Sequence, residues 1–450
     1  MRITRLSWRT SMACLASLVM VFLLQGCMKG PSEEKTPSQL VIAVNSAISY
    51  EYGYRDYLEA AFPDLTVKLV EMKVDVNQDM VQQLKQFIRE EQPDLITGAF
   101  GYYVALADNG LLENLTARLS GSGMSEDDFQ PGVMERLKQT DNGELYGLAP
   151  AFNSQVLVFN TDLFAKYAVQ PPSDGMTLPE IFKLADTFSR AGGAKDGVVG
   201  YHQSLSSLPS DQLSNLAQSE ALQAYNPNTG EMTINTSSWK TIFQSVVDLY
   251  GSGALAMQDV KPEIVDGVEL YGKEAMEESD LFKQGKAAMT LANHGQYAGS
   301  GFNTGEVTPP VTTADRNRTV HLYVPSVMSI RSGSPNADKA WEVIQFMNSD
   351  HMAKVRANLQ DDGFSSLNAY RQFDANPVVD KLYALHSVPL PTKLPKMGFE
   401  AEVKFTNQLM ELENGEIAAV VKKDKTLDAA IAVIQKEGQF LLNAAMPAEK

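Results

Sequence analysis

At 450 residues the chain is long enough for two or three domains. Apolar residues make up 44% and charged residues 21%, ordinary globular usage that excludes a disordered chain, a collagen and a multi-span membrane protein. The 38 bases and 55 acids give −17, and the first 26 residues hold three Arg and no acid, so the rest carries −20. A field of that sign repels phosphate backbones, which argues against nucleic acid as a partner.

In chain order, Arg2, Arg5 and Arg9 form a positive start, followed by an uncharged, mostly apolar run from Ser11 to Leu24. Its 14 residues are too few to span a hydrocarbon core of about 30 Å as a helix, so the run reads as a signal-peptide core. It ends Leu24-Gln25-Gly26-Cys27, which resembles a bacterial lipobox, with a small residue before a thiol that accepts a diacylglycerol. The only other cysteine, Cys14, lies inside the apolar run. Residues 1–26 are thus expected to be a lipoprotein signal peptide. Cys27 is expected to carry the lipid, and the folded part to contain no disulfide. Residues 27–38, polar and rich in Pro, Ser and Glu, read as a lipidated tether.

From residue 40 the pattern alternates. Leu40–Val44 is a continuous apolar run typical of a buried parallel strand, and 54–62 can be helical up to Pro63. Leu65–Val70 is strand-like, and Met80, Leu84, Phe87 and Ile88 share one helix face. Asp94–Thr97 is a third strand. This order predicts an α/β fold with parallel sheets. Asp75-Val76-Asn77-Gln78-Asp79 has the first ligand positions of a calcium loop. It has Met80 where the turn needs Gly and Phe87 where the final Glu belongs, so it reads as a helix start. Gly143 and Gly147 predict a hairpin, and Leu148 to Asn160 a strand pair crossing into a second lobe. Thr177 and Glu180 form a capping box with Pro179 in the first turn, ahead of the stripe Ile181, Leu184, Ala185 and Phe188.

Several of these segments resemble one family. Pro93-Asp94-Leu95-Ile96, then Leu106-Ala107 and Gly110-Leu111-Leu112-Glu113-Asn114-Leu115, look like the opening of bacterial extracellular solute-binding proteins of the maltose-binding-like type. Gly143 to Pro150, Val156 to Phe164, Val169 to Pro172 and Thr177 to Ile181 resemble its "Y-G-x-P … Y-N-x-D-L-F … G-x-x-P-P … T-W-x-E-L", with Leu178 in place of Trp. Leu281 to Met289 is similar to "F-x-x-G-K-A-A-M". Pro325 to Ile330 with Asn336 to Asn348 resembles the return strand and following helix, where Ala340, Trp341, Val343, Ile344 and Met347 read as core. Leu427, Ala430, Ile431 and Ile434 match a late helix. The resemblance runs from about residue 39 to 442.

The resemblance implies a periplasmic-binding-protein-like fold of two α/β lobes, each discontinuous, with a hinge and a ligand cleft. Lobe one would take 39–150 plus 305–350, and lobe two 151–304 plus 351–450. It implies a non-enzymatic, monomeric solute-binding component of an ATP-binding-cassette (ABC) importer, lipid-anchored at the cell membrane and facing outward. Its partners would be permease subunits and a small polar solute, first a mono- or oligosaccharide, and it needs no cofactor. A cell-surface sensor or hydrolase on the same lobes is the alternative.

Open α/β sheets bind ligands beyond their strand carboxyl ends. There the sequence places Tyr50, Tyr52 and Tyr54, then Phe100, Tyr102 and Tyr103, then Phe152-Asn153, then His294, Gln296 and Tyr297. Of these, Tyr50, Tyr52, Phe100, Tyr102, Phe152, Asn153, His294, Gln296 and Tyr297 are the candidate ligand residues. Aromatic faces suit sugar C–H surfaces and also cationic groups. The only tryptophans beyond the leader, Trp239 and Trp341, lie outside these segments, which leaves polyols, sugar phosphates and amines open as ligands. The overall negative field ranks a multiply charged anion last, unless a local Arg such as Arg55 or Arg331 overrules it. Five scattered His, with no H-E-x-x-H and no G-x-S-x-G, give no catalytic or metal motif.

Overall fold

The computed structural model describes residues 38–446 apart from 76–77, 204, 266–267, 360–362, 390–396 and 398. Cys27 and the segments before it lie outside the described residues. The predicted strands form: β1 (Ser38–Val44), β2 (Leu65–Glu71) and β3 (Leu95–Gly98). β1 lies between the other two, parallel to both. Helix Met80–Glu91 starts where Asp79 accepts a hydrogen bond from the Gln82 N–H at 3.0 Å, so that segment is a helix cap. Its Leu84 and Ile88 are buried under the sheet.

The Pro-Asp pair before β3 has a physical role. Asp94 is buried, and its carboxylate accepts from the Val41 N–H (2.9 Å), Ser334 Oγ (2.6 Å) and Asn336 Nδ2 (3.2 Å). It ties β1 to the loop before helix Ala337–Met347, whose Ala340, Trp341, Val343, Ile344 and Met347 are buried as the stripe predicts. The strand Val327–Ile330 returns antiparallel to β3 and completes the sheet together with β4 (Gly147–Leu148). The expected hairpin between Gly143 and Gly147 does not form. Thr140 instead folds a polar turn, its Oγ1 donating to the Glu144 carbonyl at 3.1 Å, and β4 pairs with the return strand.

β5 (Ala151–Asn160) carries the chain into a second sheet. It is flanked there by Thr304–Val307 and Ala287–Asn293, both antiparallel to it, and β6 (Val199–His202) lies beyond, parallel to Ala287–Asn293. Helix Leu178–Phe188 has the predicted box: the Thr177 N–H donates to Glu180 Oε2 at 2.8 Å, and Thr177 Oγ1 accepts from the Glu180 N–H. It lies so close to β6 that a Cβ on Gly200 would sit 2.3 Å from the Ala185 carbonyl oxygen. Leu178, at the position of the family's Trp, is buried.

Buried apolar side chains form two cores. One surrounds the first sheet and takes in Phe152, Phe364, Tyr370, Val378, Val379, Leu382 and Tyr383. The other surrounds the second sheet and takes in the helices Phe399–Val421 and Leu427–Ala445 through residues such as Phe405, Leu409, Ile417, Ile431 and Ile434.

Candidate functional site

Strand register locates the cleft. Val327 stands opposite Gly98 and Met328 opposite Leu148, so both connections leave the first sheet at the carboxyl end of β3. In the second sheet Asn293 stands opposite Gln155, near the start of β5, and His202 lies beside Thr290. The carboxyl ends of both sets of parallel strands therefore point at the crossing segments, where open α/β sheets collect ligands. Leu322–Tyr323 and Phe364–Ser365 both pair with the first residues of β5, so three segments meet at the base.

A recess of about 190 Å³ opens at that junction, lined by Tyr54, Ala151, Asn153, Ser326, Arg356 and Gly363, with Pro150 and Pro325 at its edge. Tyr54 Oη, Thr97 Oγ1 and Ser326 Oγ form a triangle of hydroxyls with sides of 3.1, 3.2 and 3.1 Å. Asn153 Nδ2 donates to Tyr323 Oη at 2.9 Å. A Cβ on Gly363 would lie 2.7 Å from Asn153 Oδ1, so only glycine lets that loop approach so closely. Hydroxyls and an amide can both donate and accept, which suits a neutral polyhydroxylated ligand.

The structure distributes the nine candidates unevenly. Phe100 and Tyr102 are half-buried at the carboxyl end of β3, and Asn153 lines the recess. Tyr52 is 87% exposed, and Gln296 is exposed with its Oε1 accepting from the Asn293 N–H. Tyr50 is buried in the first core beside Tyr54. Phe152 is fully buried, its ring 5.4 Å from Phe364 and 5.3 Å from Tyr383, so it builds the junction and offers no surface to a ligand here. Tyr297 is buried too; its Oη donates to Asp280 Oδ2 at 2.8 Å and its ring meets Phe282 edge-on. Tyr54, Thr97, Ser326 and Tyr323 were outside the candidate set, although Tyr54 follows β1 and Thr97 ends β3, positions the carboxyl-end rule covers. Arg55 pairs with Glu51, and Arg331 Nε donates to the Pro93 carbonyl at the opposite edge of the sheet.

His294 is held between two carboxylates. Its Nδ1 lies 2.7 Å from Glu306 Oε2, its Nε2 lies 3.5 Å from Asp374 Oδ2, and its ring stacks on Phe364. Glu306 belongs to the second sheet, whereas Asp374 precedes helix Pro377–Leu382, whose apolar residues join the first core. The hydrogen bond to Glu306, with help from Asp374, raises the imidazole above its ordinary 6.5 despite burial. Burial by itself would raise Glu306, but the hydrogen bonds from His294, the Gly295 N–H and Asn376 outweigh it and hold the carboxyl below its ordinary 4.5. Stabilisation from a raised histidine is complete below its unfolded value and disappears as pH climbs through the folded one. The Glu306 contribution disappears on acidification through its own lowered value. Thermal melts from pH 5 to 9 should therefore show wild type ahead of His294→Gln near pH 6, with the gap closing as pH rises. A gap that stays constant to pH 9 would contradict this bridge.

Among the described residues no helix is long and apolar enough to cross a membrane, and no group of His, Cys, Asp or Glu is placed to hold a metal ion. Curated protein sequences give no match. Many solved structures share the fold, among them these three. An extracellular solute-binding protein of family 1 from Alicyclobacillus acidocaldarius has a TM-score of 0.64 at 15% identity, covering 91% of this chain and 100% of that one. The sugar-binding protein MalE of Xanthomonas citri has a TM-score of 0.61 at 13% identity, covering 90% and 98%. An ABC transporter solute-binding protein from Agrobacterium vitis with bound D-mannitol has a TM-score of 0.52 at 18% identity, covering 92% and 100%. The fold is thus periplasmic-binding-protein-like. The family model of bacterial extracellular solute-binding proteins matches residues 45–354, most of both sheets and all of the first crossing, and the chain belongs to that family.

Proposed function

We propose that this protein is the lipid-anchored solute-binding component of an ABC importer, taking a saccharide in the cleft and delivering it to membrane permease subunits. The observation that carries the reading is the recess where both sets of strand ends converge, lined by the Tyr54 and Ser326 hydroxyls, which Thr97 ties together, and by the Asn153 amide. The relatives that bind D-mannitol or sugar support a polyhydroxylated ligand over amines. In this reading Phe100, Tyr102, Tyr52 and Asn153 contact the solute. The two lobes, one around each sheet, close on it by bending at β5, with the stretch around 364–385 packed on the first sheet and 304–307 on the second, and Cys27 holds a monomer outside the cytoplasm.

The test is a thermal-shift panel of saccharides and polyols, followed by X-ray scattering with the strongest hit. A one-site ligand at a hundredfold excess over its dissociation constant adds about 2.7 kcal/mol. The expected result is such a shift, a smaller radius of gyration and recovery of the solute intact. A chemically altered solute would favour the hydrolase alternative, and no shift across the panel would remove the saccharide reading.

A further inference from the structure

Four charged residues, Asp94, Arg136, Asp280 and Glu413, are buried among the described residues. Asp94 has three hydrogen-bond donors, as described above. Asp280 accepts from Tyr297 Oη and from the Lys283 N–H at 2.9 Å. Glu413 sits in an apolar stripe with Phe405, Leu409 and Ile417, and burial pushes its carboxyl up to about 8, so it sheds its charge by keeping a proton. Arg136 has no such escape, because a guanidinium does not deprotonate in a protein.

Arg136 lies on helix Pro131–Leu137 and is 7% exposed, with no carboxylate within ion-pair distance among the described residues. The neighbouring acid, Glu135, is committed to Arg318 at 3.0 Å and His386 at 2.9 Å. Arg136 makes one hydrogen bond, a long one of 3.4 Å from Nη1 to Gln139 Oε1. Its Cζ stands 5.5 Å over the ring of Phe100, the first residue of the helix that follows β3. Among the described residues its Nε and Nη2 make no hydrogen bond to a protein acceptor, and neither is among the unpartnered atoms sealed from solvent. The cation–π contact offsets only part of what desolvating the ion costs. Burial accordingly lowers this guanidinium from its ordinary value, the direction for a cation without a counter-ion.

We infer that Arg136 and Phe100 form an anion subsite at the lobe-one wall of the cleft, and that the solute is an acidic saccharide whose carboxylate pairs with Arg136. The inference rests on the saccharide reading above and narrows it. A carboxylate matches the planar fork of donors and brings the missing counter-ion, while Phe100 offers its face to the sugar ring. A single negative charge is favoured over a phosphate because the rest of the protein repels multiply charged anions.

The experiment is calorimetric titration of the full chain, in detergent, with matched pairs: D-glucuronate against D-glucose, D-galacturonate against D-galactose, and cellobiouronate against cellobiose. Glucose 6-phosphate serves as the phosphate arm. In the expected result the acidic member of at least one pair binds tenfold or more tighter than its neutral partner, and its affinity falls with added salt. Arg136→Gln removes that preference, weakening the acidic sugar at least tenfold more than its neutral partner, and Arg136→Lys restores part of it. The salt series on wild type carries the test should Arg136→Gln fold poorly. Neutral sugars binding as well as acidic ones would overturn this inference alone. Glucose 6-phosphate binding in place of every uronate would overturn the carboxylate assignment. No saccharide of any kind binding would overturn it together with the saccharide reading.

Discussion

Phe152→Ala should destabilise the protein by about 3–5 kcal/mol, the usual cost of truncating a fully buried aromatic ring. Phe152 lies on the second residue of β5, opposite Phe364, and its ring touches both Phe364 and Tyr383. Tyr383 in turn stacks on Tyr370, so one ring set joins the first crossing to a segment more than 200 residues later. A void there has no water to fill it and little freedom to collapse, because Ala151 and Ser365 are held by strand pairing. Urea unfolding of Phe152→Ala beside Tyr52→Ala measures the contrast. Tyr52, 87% exposed, should change stability by less than about 0.5 kcal/mol. A Phe152→Ala protein as stable as Tyr52→Ala would mean that the junction is not held by its rings.

Cys27→Ser should abolish membrane attachment while leaving the melting temperature of the folded part unchanged. The proposed diacylglycerol supplies at least two chains, each worth about 0.8 kcal/mol per buried methylene, where a single myristoyl chain anchors only marginally. No other cysteine follows Cys14 in the chain, so no second thiol can take over. Detergent-phase partitioning of cells expressing each form is the measurement. The wild type should enter the detergent phase and the variant the aqueous phase. A Cys27→Ser protein that still enters detergent would place the anchor elsewhere.

Local order was readable because its causes are local. The apolar run of β1, the Thr177–Glu180 box and the stripe of helix Ala337–Met347 each depend on residues a few positions apart. The cleft walls were readable only in part. The carboxyl-end rule reached Phe100, Tyr102 and Asn153, but it cannot tell a ring facing the cleft from one facing the core. Phe152 goes to the core because its partners arrive from residues 364 and 383, and Tyr297 because Asp280 takes its hydroxyl. Arg136 hides in a charged run, Glu135-Arg136-Leu137-Lys138. Its signal was the position three residues after Val133, on the face that also buries Leu137, where an apolar side chain belongs.

The pairing along β5 has a mechanical consequence. From Gln155 to Phe159 the strand is held by the five-residue ladder to Ala287–Asn293, joined from Leu157 by the ladder to Thr304–Val307, whereas its first four residues hold the two other crossings by ladders of only two residues each. Pairing therefore thins toward the start of the strand, from two ladders at Leu157 to short two-residue ladders before Gln155. In the proposed closure such a thinning would concentrate curvature as a narrowed section does in a machined flexure, each lobe turning as a block. Compliance would then reside in residues 151–154, of which Ala151 and Asn153 line the recess, so a ligand filling it would also stiffen the joint.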